Sequence, residues 1–145
     1  MTTTSAPLAR GSALRETLAR HVLVADGAMG TMLQDADVSL ADFEDYEGCN
    51  EILNVTRPDI VAEVHDAYLS VGVDCIETNT FGANLANLAE YGIEDRIYEL
   101  AYAGARLART QADIWSTPEQ PRFVLGAMGP GTRLPTLGHI TFAEL

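Results

Sequence analysis

Val22-Leu23-Val24-Ala25-Asp26-Gly27-Ala28-Met29-Gly30-Thr31 is an apolar run that stops at a carboxylate followed by glycines. Four consecutive apolar residues bounded by a turn signal are expected to form a strand buried on both faces, as in a parallel sheet. Asp26 then falls at the C-terminal end of that strand, the end at which α/β folds bind ligands. Gly27 and Gly30 let the backbone turn sharply and bring N–H groups near an anion. An acid beside a set of amides is a receptor for a zwitterion. The same residues also satisfy an ordinary Asp-Gly turn, and the rest of the chain decides between the two.

Downstream, the pattern repeats. Gln34 to Asn54 is expected to be a long, solvated, acidic connection whose less acidic end, Gly48-Cys49-Asn50-Glu51-Ile52-Leu53-Asn54, folds back over the site. Thr56-Arg57-Pro58-Asp59 then opens a helix, with Thr56 as cap and Asp59 completing an approximate capping box. Ile60, Val61, Val64, Ala67, Tyr68 and Val71 make its apolar face, and Gly72 ends it. His65, beside that face, reads as a packed or edge histidine. Val73 to Glu77 is the second strand, running into Thr78, Asn79 and Thr80. Strand, helix, strand implies a crossover and two parallel strands. Glu77 and Thr78 therefore share a rim with Asp26, although Glu77 also fits a solvated strand end or an ion pair with an arginine.

A short helix over Leu85 to Tyr91, stopped by Gly92, precedes a longer one from Ile93 to about Ala112. In that helix Ile97, Leu100, Ala101, Ala105 and Ala108 are expected to point inward. Phe123 to Met128 is the third strand, ending in Gly129-Pro130-Gly131-Thr132, and Thr141 to Leu145 reads as the start of another helix. At the other end, Met1 to Gly11 is expected to be a disordered tail and a short helix to begin at Ser12, an N-cap residue. Residues 12–145 then form the domain.

Composition limits the functions available. The 145 residues carry 21 acids against 9 bases, a net charge of −12, and every base is arginine. An acidic chain of this kind lacks the basic face that nucleic acid requires, and without lysine no Schiff base forms. Cys49 and Cys75 make neither a Cys-x-x-Cys zinc motif nor a disulfide framework, and they read as reduced cysteines with at least one in the core. No run approaches the roughly 18 apolar residues of a membrane span, and the N-terminus lacks the apolar core of a signal peptide. The expectation is a cytoplasmic protein with no membrane partner.

With Asp26-Gly27-Ala28-Met29-Gly30-Thr31, Gly48-Cys49-Asn50-Glu51, Glu77-Thr78-Asn79-Thr80-Phe81-Gly82-Ala83-Asn84 and Gly129-Pro130-Gly131-Thr132 in order, the chain resembles the N-terminal homocysteine-binding module of cobalamin-dependent methionine synthases. The resemblance covers nearly all the chain after Gly11. It implies an α/β fold, the N-terminal portion of a (β/α)8 TIM barrel with parallel strands and crossover helices, and a homocysteine site on the C-terminal rim. In that family homocysteine is held on zinc as a thiolate and takes a methyl group from methylcobalamin, which methyltetrahydrofolate recharges in another module.

Carried over, Asp26 receives the ammonium group of homocysteine, the amides of Gly27, Ala28 and Met29 cradle its carboxylate, and Glu77, Thr78 and Asn79 line the pocket. The family's three zinc cysteines have no counterpart here, since Cys49 precedes a crossover helix and Cys75 lies within a strand. Neither a catalytic nor a metal-binding residue is therefore expected within this chain, and zinc and cobalamin are expected of the full-length protein. A barrel of this kind takes about 250 residues, so the chain amounts to roughly its first half. Cut off there, it has unpaired sheet edges and is expected to associate, swap or be poorly ordered. Two alternatives remain open: a cobalamin-independent homocysteine methyltransferase using a sulfonium donor, and a non-catalytic binding or assembly module of the same fold.

Overall fold

The computed structural model describes residues 6–143. Two parallel strands, β1 (Cys75–Glu77) and β2 (Phe123–Leu125), pair in the register Cys75 to Phe123, Ile76 to Val124 and Glu77 to Leu125. The Val22–Ala25 segment lies along the other side of β1: Ala25 bridges Cys75 in parallel, Val24 O accepts from Asp74 N and Cys75 N, and Asp26 N donates to Cys75 O. The expected first strand is thus a single bridge, and it is not buried on both faces. Val22 is 92% exposed and Val24 55%. The cause is positional, because among the described residues this segment has β1 on one side and no strand on the other.

Among the described residues six α-helices surround this core: α1 (Ala6–Leu18), α2 (Met29–Asp35), α3 (Leu53–Thr56), α4 (Pro58–Ser70), α5 (Leu85–Tyr91) and α6 (Ile97–Trp115). Helix α1 begins at Ala6 rather than at Ser12, so the tail expected over 1–11 is helical from Ala6 onward, and residues 1–5 lie outside the described residues. At the other end, residues 141–143 form a turn rather than a helix, and 144–145 lie outside the described residues.

The connection from Gln34 to Asn54 is folded rather than a solvated loop. It carries 3-10 turns at Leu40–Phe43 and Asn50–Ile52, the first closed by a reciprocal Ser39–Asp42 capping box. Arg57 ties down Asp42 at 3.4 Å and Arg96 ties down Glu44 at 3.0 Å. Thr56 does not cap α4. It ends α3, where its hydroxyl donates to Ile52 O, and Asp59 pairs with Arg57 instead of closing a box. Pro58 starts α4 because its missing N–H is one that no helix bonds internally.

In α4 the buried stripe runs through Ile60, Val61, Val64, His65 and Leu69, whereas Ala67 and Val71 are exposed. Adjacent pairs repeating every four residues follow a helix wedged between two neighbours, and α4 packs on both α6 and α2. Gly72 follows with φ +99°, a conformation costly for any other residue. Helix α5 is capped by Asn84, whose side chain accepts from Asn87 N, and Gly92 ends it in the left-handed region.

Helix α6 turns Leu100, Gly104, Ala108 and Ala112 inward. Ala105, expected inward, is exposed, because burial follows the i, i+4 row through Gly104. A Cβ at Gly104 would stand 2.7 Å from Asn54 Nδ2, so this row needs glycine. Among the described residues the core comprises three clusters: Leu33, Leu53, Ile60, Val61 and Val64; Cys49, Ile52, Leu88, Ile93 and Leu100; and Leu69, Val73, Ile76, Ala108 and Ala112.

Candidate functional site

The C-terminal ends of the Val22–Ala25 segment and of both strands open onto one cavity of about 540 Å³. Asp26, Gly27, Ala28 and Met29 line one side of it, and Glu77, Thr78 and Asn79 line the adjoining side. The seven residues singled out from the sequence are therefore brought together.

Asp26 is anchored twice, through its own N–H to Cys75 O at 3.0 Å and through Oδ1, which accepts the Glu77 N–H at 2.8 Å. Burial pushes its carboxyl up to about 6, the neighbouring Glu77 charge adds to the rise, and the Glu77 N–H opposes it. Asp26 thus stands as an anion short of a cation. Beside it, Ala28 adopts φ 50°, ψ 27°, a left-handed conformation costing an alanine on the order of 1 kcal/mol or more. That turn starts α2, whose first N–H groups have no acceptor within the helix. Among the described residues nothing accepts the Gly27 or Ala28 N–H.

Thr78 and Asn79 are buried and engaged with the protein itself. Thr78 N donates to Leu125 O, extending the β1–β2 ladder by one rung. Ala127 N donates to Thr78 Oγ1 at 3.0 Å, and Thr80 Oγ1 donates to Ala127 O at 2.8 Å. Thr80 has a single hydroxyl proton, so in the 2.6 Å contact between the two threonines Thr78 must be the donor. The ring closes with every hydroxyl satisfied. Asn79 Nδ2 donates to Asn50 O and Asn54 Oδ1, while Asn54 Nδ2 donates to Asn79 O and Leu100 O. These two residues hold the rim in shape. Glu77 differs: its carboxylate is exposed at the cavity, and among the described residues no arginine pairs with it.

The far wall is built in part by the segment that was expected to fold back over the site. Gly48, Cys49, Asn50 and Glu51 fold back to line the cavity, with Phe81, Gly82, Glu90, Tyr91 and Thr132 around the mouth. Glu90 accepts the Thr132 hydroxyl at 2.6 Å, fastening the Gly-Pro-Gly-Thr loop to α5. Among the described residues four carboxylates, those of Asp26, Glu51, Glu77 and Glu90, line the cavity and no arginine or histidine does. Such a lining favours a ligand carrying a cation.

Neither thiol fits a zinc ligand. Burial, with the Glu51 charge adding, pushes the Cys49 thiol up to about 11, and its S–H donates to Glu51 Oε2 at 3.8 Å. Burial and the charges of Asp74 and Asp26 likewise hold the Cys75 thiol above its ordinary value. A zinc-binding thiol needs the opposite environment, and among the described residues no three His, Cys, Asp or Glu side chains form a metal site.

A profile of the homocysteine S-methyltransferase family matches residues 23–145. The chain belongs to that family. It is 57% identical over 129 residues to the methionine synthase of Mycobacterium leprae (strain TN), covering 89% of this chain and 11% of that protein. To the methionine synthase of Mycobacterium tuberculosis (strain ATCC 25618 / H37Rv) it is 55% identical over 132 residues, covering 91% and 11%. The chain thus spans about 11% of the length of these curated relatives.

Among solved structures, the homocysteine methyltransferase MmuM from Escherichia coli in its metallated form is similar with a TM-score of 0.63 at 28% identity, over 81% of this chain and 41% of that one. Its oxidised form gives 0.64 at 28%, over 80% and 40%. The α/β fold with parallel strands is thus shared with this homocysteine S-methyltransferase. No helix of the described residues is long and apolar enough to cross a membrane.

Proposed function

We propose that this chain is the first part of a (β/α)8 barrel domain of a methionine synthase, and that its rim binds homocysteine for methyl transfer. The observation that carries this reading is the meeting, on one cavity wall, of the Asp26 carboxylate with the free amides of Gly27 and Ala28. Homocysteine carries an ammonium and a carboxylate on one carbon. Asp26 receives the first, and the backbone of Gly27, Ala28 and Met29 receives the second. Glu77 adds negative charge at the ammonium end, and Thr78 and Asn79 fix the wall against which the thiol-bearing arm lies.

The chain's own residues bind and orient; none is assigned a bond-making step at sulfur. Zinc, which the family implies, is held by residues other than Cys49 and Cys75. Methylcobalamin and methyltetrahydrofolate belong to other modules of the same polypeptide, a cytoplasmic enzyme. Identity above 50% to two methionine synthases, against 28% to MmuM, supports the methionine synthase reading.

The test is homocysteine binding to the full-length protein by calorimetry. Asp26→Asn keeps an acceptor for the Glu77 N–H and removes the charge, and should weaken binding by about tenfold or more, the scale of a charge-assisted hydrogen bond. Unchanged binding would overturn the assignment.

A further inference from the structure

Outside the Asp26 wall, one carboxylate stands out. Glu51 is 7% exposed, lines the same cavity, and is matched at each oxygen by a donor: Gly82 N at 2.6 Å on Oε1 and Cys49 Sγ at 3.8 Å on Oε2. No arginine pairs with it among the described residues. A carboxylate taken this far from water without a cation is costly unless its position is needed. The turn it grips has been cleared to receive it, because a Cβ on Gly82 would stand 2.9 Å from both of its oxygens.

The grip also reaches beyond Gly82. Phe81 O, the adjoining carbonyl, accepts the Gly129 N–H at 2.9 Å, and a Cβ on Gly129 would collide with that same carbonyl. Glu51 therefore ties the Gly48–Ile52 turn to the Phe81–Gly82 turn, and through it to the loop after β2. Glu51 thus joins two of the loops that bound the cavity, and the backbone contact of Phe81 with Gly129 joins the third to them.

We propose that Glu51 is a positioning residue of the homocysteine site, whose contact with Gly82 sets the distance between the far wall of the cavity and Asp26. This rests on the homocysteine reading above. Glu51 does not touch the reacting atoms; it decides whether the pocket is closed to the width of the ligand. Hydrogen bonds weaken steeply as their geometry departs from the ideal, so a wall set too wide loosens the ligand's polar contacts.

The contact can be approached from both sides in the full-length protein. Glu51→Ala removes the acceptor, Gly82→Ala removes the space, and Glu51→Gln keeps an oxygen for the Gly82 N–H. Homocysteine dissociation constants measured calorimetrically, well below the melting temperature of each variant, should rise about tenfold for Glu51→Ala and for Gly82→Ala, and less for Glu51→Gln. The double variant Glu51→Ala/Gly82→Ala should bind no more weakly than the worse single one, because both changes abolish the same contact.

A role in stability alone would lower the melting temperature and leave these constants within twofold of wild type, and that result would overturn the proposal, as would fully additive effects. If Glu51→Ala does not fold, Glu51→Gln and Gly82→Ala decide. Asp26→Asn in the same series separates the two failures: binding weakened by that variant alone rejects the role of Glu51, whereas binding weakened by none of them rejects the homocysteine site itself.

Discussion

The backbone N–H of Glu77, the last residue of β1, donates to Asp26 Oδ1 at 2.8 Å, locking the carboxylate to the neighbouring strand end. The lock orients Asp26 without neutralising it. Burial still raises its carboxyl to about 6, so in the folded protein the charged form is disfavoured relative to the unfolded chain. The sign follows from linkage. A carboxyl raised from 3.8 to about 6 leaves stability intact below pH 3.8 and erodes it as pH rises through 6. Asp26→Asn should therefore raise the melting temperature at pH 7.5, and the gain should vanish near pH 3.5. Thermal melts at the two pH values check this, and homocysteine affinity of the wild type should fall as pH drops below about 6.

Thr78 tests the closed ring on the rim. Thr78→Val keeps the shape but leaves the Ala127 N–H without an acceptor and Thr80 Oγ1 without a donor. An unsatisfied buried group costs about 1–3 kcal/mol. Urea denaturation of the domain should show a loss in that range, and homocysteine binding should weaken because Thr78 lines the cavity.

Gly104→Ala should be more damaging than an ordinary glycine-to-alanine change in a helix, which is normally favourable. The new methyl would stand 2.7 Å from Asn54 Nδ2 and 2.9 Å from Thr80 Cγ2. It would displace the amide that bonds Asn79 O and Leu100 O. Overpacking of this kind costs about 1–3 kcal/mol, and denaturant midpoints should move down accordingly.

These contacts also show what the residues alone could and could not reveal. Helix α5 was legible to the residue because its signals are local: Asn84 caps it and Gly92 ends it in a left-handed turn. The rim position of Glu77 followed from the order strand, helix, strand. What lay outside reach were preferences settled by distant partners. Thr56 has the chemistry of a cap, yet its hydroxyl is taken by Ile52 O and Pro58 starts the helix without it. Gly104 rather than Ala105 faces inward because Asn54, far away in sequence, occupies the space beside it. Glu51 looked like one more acid in an acidic stretch, and its partner Gly82 lies 31 residues on. Both halves of the contact lie in blocks singled out from the sequence, Gly48-Cys49-Asn50-Glu51 and Phe81-Gly82, but no local signal pairs them. Val22 and Val24 read as a doubly buried strand, and that burial depends on neighbours that local sequence does not supply.

His65 is fully buried on α4 with neither ring nitrogen hydrogen-bonded among the described residues, and burial holds it down at about 4. A histidine depressed from 6.5 contributes stability above that pH and loses it as pH falls toward 4, by at most about 3 kcal/mol. His65→Leu removes the unpaired nitrogens and should flatten the fall. The comparison is the change in unfolding free energy between pH 7 and pH 4.5 for the two proteins.

The central claim is that Asp26 reads the ammonium group of homocysteine. The most direct measurement is a binding cycle by calorimetry in the full-length protein: wild type and Asp26→Asn, each titrated with homocysteine and with the thiol acid that lacks only the amino group. The account predicts that wild type prefers homocysteine by about tenfold or more, and that Asp26→Asn binds the two ligands alike. An undiminished preference in Asp26→Asn would contradict it.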